Sequence, residues 1–508
     1  MNLWRDVRGN TAMIFALCLL PILALAGGAI DMTRQRTASV EAQSALDAAL
    51  LYVAHESGEL SDTQLKETAE RLFLEEMKGR NLVIEKFQLN RDGDNLTANV
   101  DAHIPTTLLG LIGIGELNVA RTSEVRYSER TFEIALSLDT TGSMEGDKLK
   151  RLQSASKLLV DKIDAGTSKT QNRKFAVVPF TTWVNVGPTK WKKNWIDKNG
   201  KSDVSATNLL PNVSRTALYD VLGEAWPGCV EARTYPYDVD DTRPSRSDAE
   251  TLFTPSFYPD EPDDRRSYGN DYLYDGTGSG GVLGRIGNVV KYGLNPITGQ
   301  LNNRRISKKS NYRFFSDVDT PIGPGFNCAT RPITPLTENL ALVRSEIDAL
   351  KAEGSTNITE GVAWGWRVLS PSIPFGQGAP YSDKSVDKIL ILLTDGNNHI
   401  SKRYDGRGSD YSAYGYLANG RLGLSTGASQ QDIWQEMDKR TLEACTNAKR
   451  DGLIVYTIRL ELADDRSDKL LKACATGPEY YLDVPDARQL DAAFSSIADD
   501  ILQLYLAR

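Results

Sequence analysis

Histidine is nearly missing from this chain: three copies, His55, His103 and His399, are scattered over 508 residues. The five cysteines include no Cys-x-x-Cys pair and have no histidine near them, so a structural zinc site is excluded. A nucleophile elbow, a Walker loop, a Glu/His zinc motif and a convincing acid/base pair are missing as well, and no enzymatic activity is expected. Positive charge is not in excess either, because 59 Lys and Arg face 67 Asp and Glu for a net charge of −8. No nucleic-acid partner is therefore expected. The length exceeds one ordinary domain and implies two or three units.

Long hydrophobic runs are missing with one exception. From Gly9 to Ile30, 22 residues carry no charge. As a helix this run would span roughly 33 Å at about 1.5 Å per residue, enough to cross a bilayer. Arg5 and Arg8 precede it and favour a cytoplasmic N-terminus, while Arg34 and Arg36 follow closely and weaken that bias. Residues 1–30 thus read as a single-pass anchor, with the rest of the chain outside the cytoplasm. A cleaved signal peptide is the alternative, since Ala24-Leu-Ala26-Gly has small residues at cleavage spacing. From Asp31 to Leu51 the chain continues in helix formers without Gly or Pro, so one helix running outward favours the anchor.

Cys18 lies inside the apolar run, and the other four cysteines allow three pairings. Cys229 with Cys328 and Cys445 with Cys474 keep each pair within one local region, and such bonds suit an oxidising periplasm. Four reduced, buried thiols are the alternative.

What the sequence does contain is a set of oxygen donors. Asp139-Thr-Thr141-Gly-Ser143 follows the apolar run Phe132 to Leu138, which places one carboxylate and two hydroxyls on a turn at the end of a buried strand. Oxygen donors without His or Cys suit a hard cation such as Mg²⁺. Two later segments can complete the set. Gly354-Ser-Thr356-Asn is a turn opening a helix, and Ile389 to Asp395-Gly396 is a second buried strand ending in Asp-Gly. Singly, each has an ordinary explanation as a turn or an N-cap.

Taken in order, Asp-x-Thr-x-Ser, Gly-Ser-Thr and Leu-Thr-Asp-Gly resemble the metal-ion-dependent adhesion site (MIDAS) of von Willebrand factor type A (VWA) domains. The resemblance implies that Thr141 and Ser143 bind the metal directly, that Thr356 does so in the liganded state, and that Asp139 and Asp395 act mostly through water. Mg²⁺ is the expected ion, with Mn²⁺ or Ca²⁺ as alternatives. Hydroxyl ligands leave a cation less neutralised than a carboxylate cage would, so the expected ligand is an Asp or Glu side chain of a partner protein. Because the turn is expected at the surface, Asp139→Ala is expected to abolish divalent-dependent binding and spare the fold.

Residues 31–130 read as a membrane-proximal helix with a small antiparallel sheet. Ser61 to Lys78 has helical spacing, while 82–89, 96–104 and 117–125 are β-rich, with Arg91-Asp-Gly-Asp94 as a hairpin turn. Arg8-Gly-Asn-Thr-Ala-Met-Ile-Phe-Ala-Leu, Gly-Gly-Ala-Ile-Asp31 and the Ala-rich stretch Gln43 to Ala49 resemble the TadE/TadG-type N-terminus of tight-adherence (Flp) pilus assembly proteins. Gly361-Val-Ala-Trp-Gly-Trp-Arg-Val-Leu-Ser-Pro371 also resembles TadG-like proteins. A prepilin-type cleavage would want an acid five positions after Gly9, where Ile14 stands.

From 131 to 508 strands and helices alternate: strands at 132–138, 174–180, 388–394, 453–458 and 480–482, and helices at 147–163, 337–352, 358–369, 431–450, 466–474 and from 487. Alternation implies a parallel sheet, whose ligands sit at the carboxyl ends of strands. The resemblance makes this an α/β VWA domain, Rossmann-like and doubly wound, with a mostly parallel sheet. Two insertions interrupt it, 182–337 and 397–430. In the first, Asp238 to Asp275 carries a net −7 and Gly276 to Arg313 a net +7. These blocks are either a partner surface or cation site, or two faces that solvate or fold on each other. The second, with Tyr411, Tyr414 and Tyr416, is either an adaptable contact surface beside the metal or a connector.

The function implied is a membrane-anchored, periplasm-facing component of a tight-adherence pilus assembly or secretion system in the bacterial inner membrane. Its partners would be other pilus-assembly or envelope proteins. The alternative is an exported surface adhesin using the same site.

Overall fold

The computed structural model describes residues 10–55, 60–92, 95–126, 131–167, 173–209, 212–261, 270, 272, 322–404 and 406–506. The chain divides into two compact units, one formed by Met1–Glu129 with 165–171 and 502–508, the other by Arg130–Asp164 with 172–501.

In the first unit, helices α1 (Asn10–His55) and α2 (Asp62–Glu76) pack on strands β1 (Val83–Asp92), β2 (Asn95–Pro105) and β3 (Glu116–Arg126), antiparallel in the order β1-β2-β3. Alternation along β2 buries Leu96, Ala98, Val100, Ala102 and Ile104, the period-two pattern of a half-covered sheet. Ala42, Leu46, Ala49 and Val53 of α1 join Leu65, Ala69 and Phe73 of α2 in the same core. The start of α2 is fixed by a capping box between Ser61 and Gln64. Two residues of the Gly-Gly-Ala-Ile-Asp motif have structural tasks. Asp31, fully buried, accepts hydrogen bonds from the amides of Thr107, Leu108 and Leu109 at 2.9–3.2 Å. At Gly27 an added Cβ would lie 2.4 Å from Leu108 Cβ, so the loop after β2 can reach α1 only at a glycine.

Residues 10–30 of the apolar run fall in the first part of α1, mostly on residues whose side chains lie outside the described set. Among the described residues, no helix is long and apolar enough to cross a membrane. The tip of the Arg91–Asp94 turn also lies outside the described residues.

The second unit is built in chain order from β4 (Thr131–Asp139), α3 (Asp147–Gly166), β5 (Arg173–Phe180), β6 (Val184–Asn185), α4 (Asp203–Ala206), α5 (Arg215–Leu222), β7 (Cys229–Val230), β8 (Thr334–Thr337), α6 (Leu340–Asp348), α7 (Ile358–Leu369), β9 (Val386–Thr394), α8 (Gln430–Arg450), β10 (Ile454–Leu460), α9 (Asp465–Cys474), β11 (Tyr481–Val484) and α10 (Leu490–Leu506). The sheet runs β11-β10-β9-β4-β5-β6-β7, with β8 also on β5. All pairs from β11 to β5 are parallel, and β6, β7 and β8 join antiparallel. Strand order reverses between β4 and β9, which makes their carboxyl ends the switch point where such sheets bind ligands. Both strands are buried along nearly their whole length, as strands covered on two faces must be, and their continuous apolar runs follow from that.

Helix α7 is buried at every position and lies over the centre of the sheet. Glycine makes this possible: a Cβ at Gly361 would sit 2.7 Å from the Phe180 ring, and one at Gly365 2.4 Å from Leu390 Cδ1. Ser137 Oγ donates to the Gly361 carbonyl at 2.8 Å across the same gap.

The two insertions share one core, in which Trp183, Cys229, Tyr258 and Cys328 pack with Tyr411, Tyr414 and Tyr416. The three tyrosines are therefore buried, and the reading of them as an adaptable contact surface is corrected. Two of their hydroxyls are taken up by buried acids of the first insertion: Tyr411 donates to Glu231 and Tyr416 to Glu261 at 3.1 Å. Glu231 also takes Arg215 and Arg421. The described part of the acidic block is likewise folded in. Asp238 pairs with Arg440 at 2.5 Å, Glu261 with Arg407 at 2.9 Å and Asp240 with Arg233 at 3.0 Å. The basic block 276–313 lies outside the described residues. Disulfides join Cys229 to Cys328 and Cys445 to Cys474, and Cys18 is free.

Candidate metal centre

Three loops meet at the carboxyl ends of β4 and β9. The pairing of Leu138 with Leu393 brings Asp139 and Thr394 side by side. The turn after β4 is tied down by backbone bonds, Thr140 N to the Phe180 carbonyl at 3.0 Å and Gly142 N to the Gly354 carbonyl at 3.0 Å. The loop before α7 is held by Thr182 Oγ1, which accepts from Ser355 N at 3.1 Å and donates to the Ser355 carbonyl at 3.2 Å. The loop after β9 is fixed by His399 N donating to the Thr356 carbonyl at 2.9 Å. Asn398 Oδ1 receives Ile358 N at 2.8 Å.

This scaffold brings all five expected ligands together. Thr141 Oγ1 lies 3.0 Å from Ser143 Oγ and 3.4 Å from Thr356 Oγ1, and Ser143 Oγ donates to Asp395 Oδ1 at 2.5 Å. Asp139 accepts from Thr141 N at 2.8 Å and from Thr394 Oγ1 at 2.6 Å. At Gly396 a Cβ would stand 2.6 Å from Thr356 Oγ1, so the residue after Asp395 must be glycine for that hydroxyl to keep its place.

Asp139 is wholly buried. The expected surface position is corrected, and Ala there would leave the Thr141 amide and Thr394 hydroxyl without their acceptor. Burial, together with the nearby charge of Asp395, pushes the Asp139 carboxyl up to about 7. Two carboxylates and three hydroxyls thus converge with a shortage of positive charge. Among the described residues, no three His, Cys, Asp or Glu are grouped to hold a metal, so a cation here must rely on hydroxyl oxygens. The donor set, all oxygen and underneutralised, fits a hard divalent ion.

Residues that sequence reading missed are Thr394, which orients Asp139, and Lys148, whose Nζ stands 2.7 Å from Asp395 Oδ2. Thr394 was adjacent to a recognised ligand, but Lys148 carries no local signal because its partner is far along the chain. Beside the centre is a polar cavity of about 180 Å³ lined by Thr182, Tyr258, Ser355, His399 and Arg403 among others. Contrary to the sequence reading, the spacing of a nucleophile elbow does occur, as Gly423-Leu-Ser425-Thr-Gly427, in the turns before α8 and not between a strand and a helix.

Fold and site define a mixed α/β protein with an oxygen-lined cluster at the switch point of a doubly wound sheet. Solved structures similar to it include several pilus proteins. The vWF domain of the type V pili tip protein Mfa5 from Porphyromonas gingivalis is 10% identical over 75% of this chain and 97% of that one, with a TM-score of 0.33. The pilus adhesin SpaC from Lactobacillus rhamnosus GG is 11% identical over 84% of this chain, with a TM-score of 0.35. The alignment spans only about a third of SpaC, 35%. The pilus adhesin RrgA from Streptococcus pneumoniae is 11% identical over 82% of this chain and 49% of that one, with a TM-score of 0.33.

At the N-terminus, residues 9–56 match the family of Flp pilus-assembly TadE/G-like proteins. That span coincides with α1, including the Gly27 and Asp31 contacts. No curated protein matches the chain.

Proposed function

We propose that this chain is an envelope component of a tight-adherence pilus assembly or secretion system, and that its VWA domain binds an Asp or Glu carboxylate of a protein partner through a divalent ion, Mg²⁺ first among the candidates. The convergence of Asp139, Thr141, Ser143, Thr356 and Asp395 from three loops is the observation that carries it. The TadE/G-like segment supports the pilus-related role. The chemistry is binding without turnover: Thr141 and Ser143 would hold the ion directly, Thr356 would join when a partner is engaged, and Asp139 and Asp395 would act through water. The apolar run at the start of α1 would anchor the chain in the inner membrane with the N-terminus cytoplasmic and both disulfides in the oxidising periplasm.

The test uses full-length protein carrying Asp139→Asn, which keeps the side chain's shape while removing its charge. Wild type is expected to retain envelope partners in Mg²⁺ and release them in EDTA, and the variant to retain none in either. Equal retention by both proteins in both conditions would refute a metal-bridged contact.

A further inference from the structure

Lys148, the second residue of α3, reaches into the centre from the solvent side. Its ammonium lies 2.7 Å from Asp395 Oδ2 and 3.4 Å from Glu461 Oε2, with 27% of its side chain exposed and none of Asp395's. Among the described residues it is the one basic group paired with Asp395, and it stands where a cation is most needed.

Glu461 is placed with some strain. It follows β10 directly and has φ 50°, in the left-handed region that non-glycine residues avoid. Two bonds hold it there: its amide donates to the Val484 carbonyl at 2.8 Å, and its Oε1 accepts from Ala487 N at 2.8 Å. The strained backbone leaves Oε2 facing Lys148 at the rim of the centre.

An ammonium and a divalent ion cannot both sit against Asp395 without strong repulsion in a partly desolvated site. We propose that Lys148 is a tethered counter-ion: it neutralises Asp395 while the centre holds no metal, and it swings to Glu461 when a divalent ion enters. Metal binding is then an exchange of one cation for another. Its affinity is set below what the five oxygen ligands alone would give, and the free centre does not leave two carboxylates uncompensated. This inference rests on the metal reading above and adds the residues that tune it.

Full-length protein in detergent is titrated with Mn²⁺, reading the free ion by electron paramagnetic resonance, for wild type, Lys148→Met, Glu461→Gln and the double variant. Lys148→Met is expected to bind at least about 10-fold tighter, because the competing charge is gone. Glu461→Gln is expected to bind several-fold weaker, and to have no effect in the Lys148→Met background, which a double-mutant cycle isolates. Thermal unfolding gives a second readout. In EDTA Lys148→Met should melt below wild type, and with saturating Mn²⁺ at or above it. Should Lys148→Met fail to fold without metal, Glu461→Gln alone still decides the matter. Wild type that binds Mn²⁺ with an affinity unchanged in both single variants overturns the exchange. Wild type that binds no Mn²⁺ overturns the metal reading itself.

Discussion

Glu231→Gln tests whether the two insertions stand as one body. In the wild type its buried carboxylate accepts from Arg215, Tyr411 and Arg421, the last at 2.5 Å. Arg215 is itself fully enclosed, with further bonds among the described residues to the carbonyls of Val204, Ser205 and Pro255. The substitution leaves a buried guanidinium without its counter-charge, a change that costs about 3–5 kcal/mol. With an unfolding entropy of about 2.1 cal/mol/K per residue over the second unit, 130–164 and 172–501, the melting temperature should fall by about 4–7 °C. Differential scanning fluorimetry measures this, and hydrogen exchange localises it. Amides of 397–430 should lose protection together with those of 212–233, because Tyr411 and Arg421 belong to the first stretch and Arg215 to the second. Adding Arg215→Met should recover part of the loss, since an apolar side chain needs no partner. A melting temperature within about 1 °C of wild type, with unchanged exchange in both stretches, would show that the insertions are held by apolar packing alone.

Two further outcomes are expected. Gly361→Ala should destabilise by about 1–3 kcal/mol in urea unfolding even though alanine favours helix, because its Cβ would meet the enclosed Phe180 ring; a stabilised variant would mean that α7 has room to shift. Because a metal ion must displace the proton that Asp139 keeps up to about pH 7, Mn²⁺ affinity should fall with falling pH. The loss is about tenfold per unit below that value, or roughly 30-fold by pH 5.5, and a flat profile from 7.5 to 5.5 would contradict the raised carboxyl.

The parallel sheet and the meeting of five oxygen-bearing side chains were legible because each depends on local signals. Unbroken apolar runs ending in Asp139 and Asp395 mark buried strands and their turns, and Asn357 caps α7 where the Gly-Ser-Thr turn predicts a helix start. Strands β6 and β7 escaped, since two residues cannot display a period. The tyrosines of the second insertion could be read as a contact surface or a connector but not as core, because the partners of Tyr411 and Tyr416, Glu231 and Glu261, lie more than a hundred residues earlier. Asp139 was misplaced at the surface for a related reason. A turn is normally exposed, but here two neighbouring loops close over it. Asp31 drew notice only as part of a family pattern, whereas its task of gathering three amides depends on a loop 76 residues away.

Both insertions depart from the same rim. The first leaves after Phe180, the last residue of β5, and the second after Thr394, the last residue of β9. The first excursion also extends the sheet, since β6, β7 and β8 lie within it and join the sheet at β5. Yet the excursions also fasten what they leave: Thr182 of the first holds the Ser355 loop, and Asn398 and His399 of the second hold Ile358 and Thr356, so a foreign head exchanged at these two exits would have to rebuild those contacts along with those of Arg367 and Arg440. The collar around the oxygen cluster is thus also its clamp.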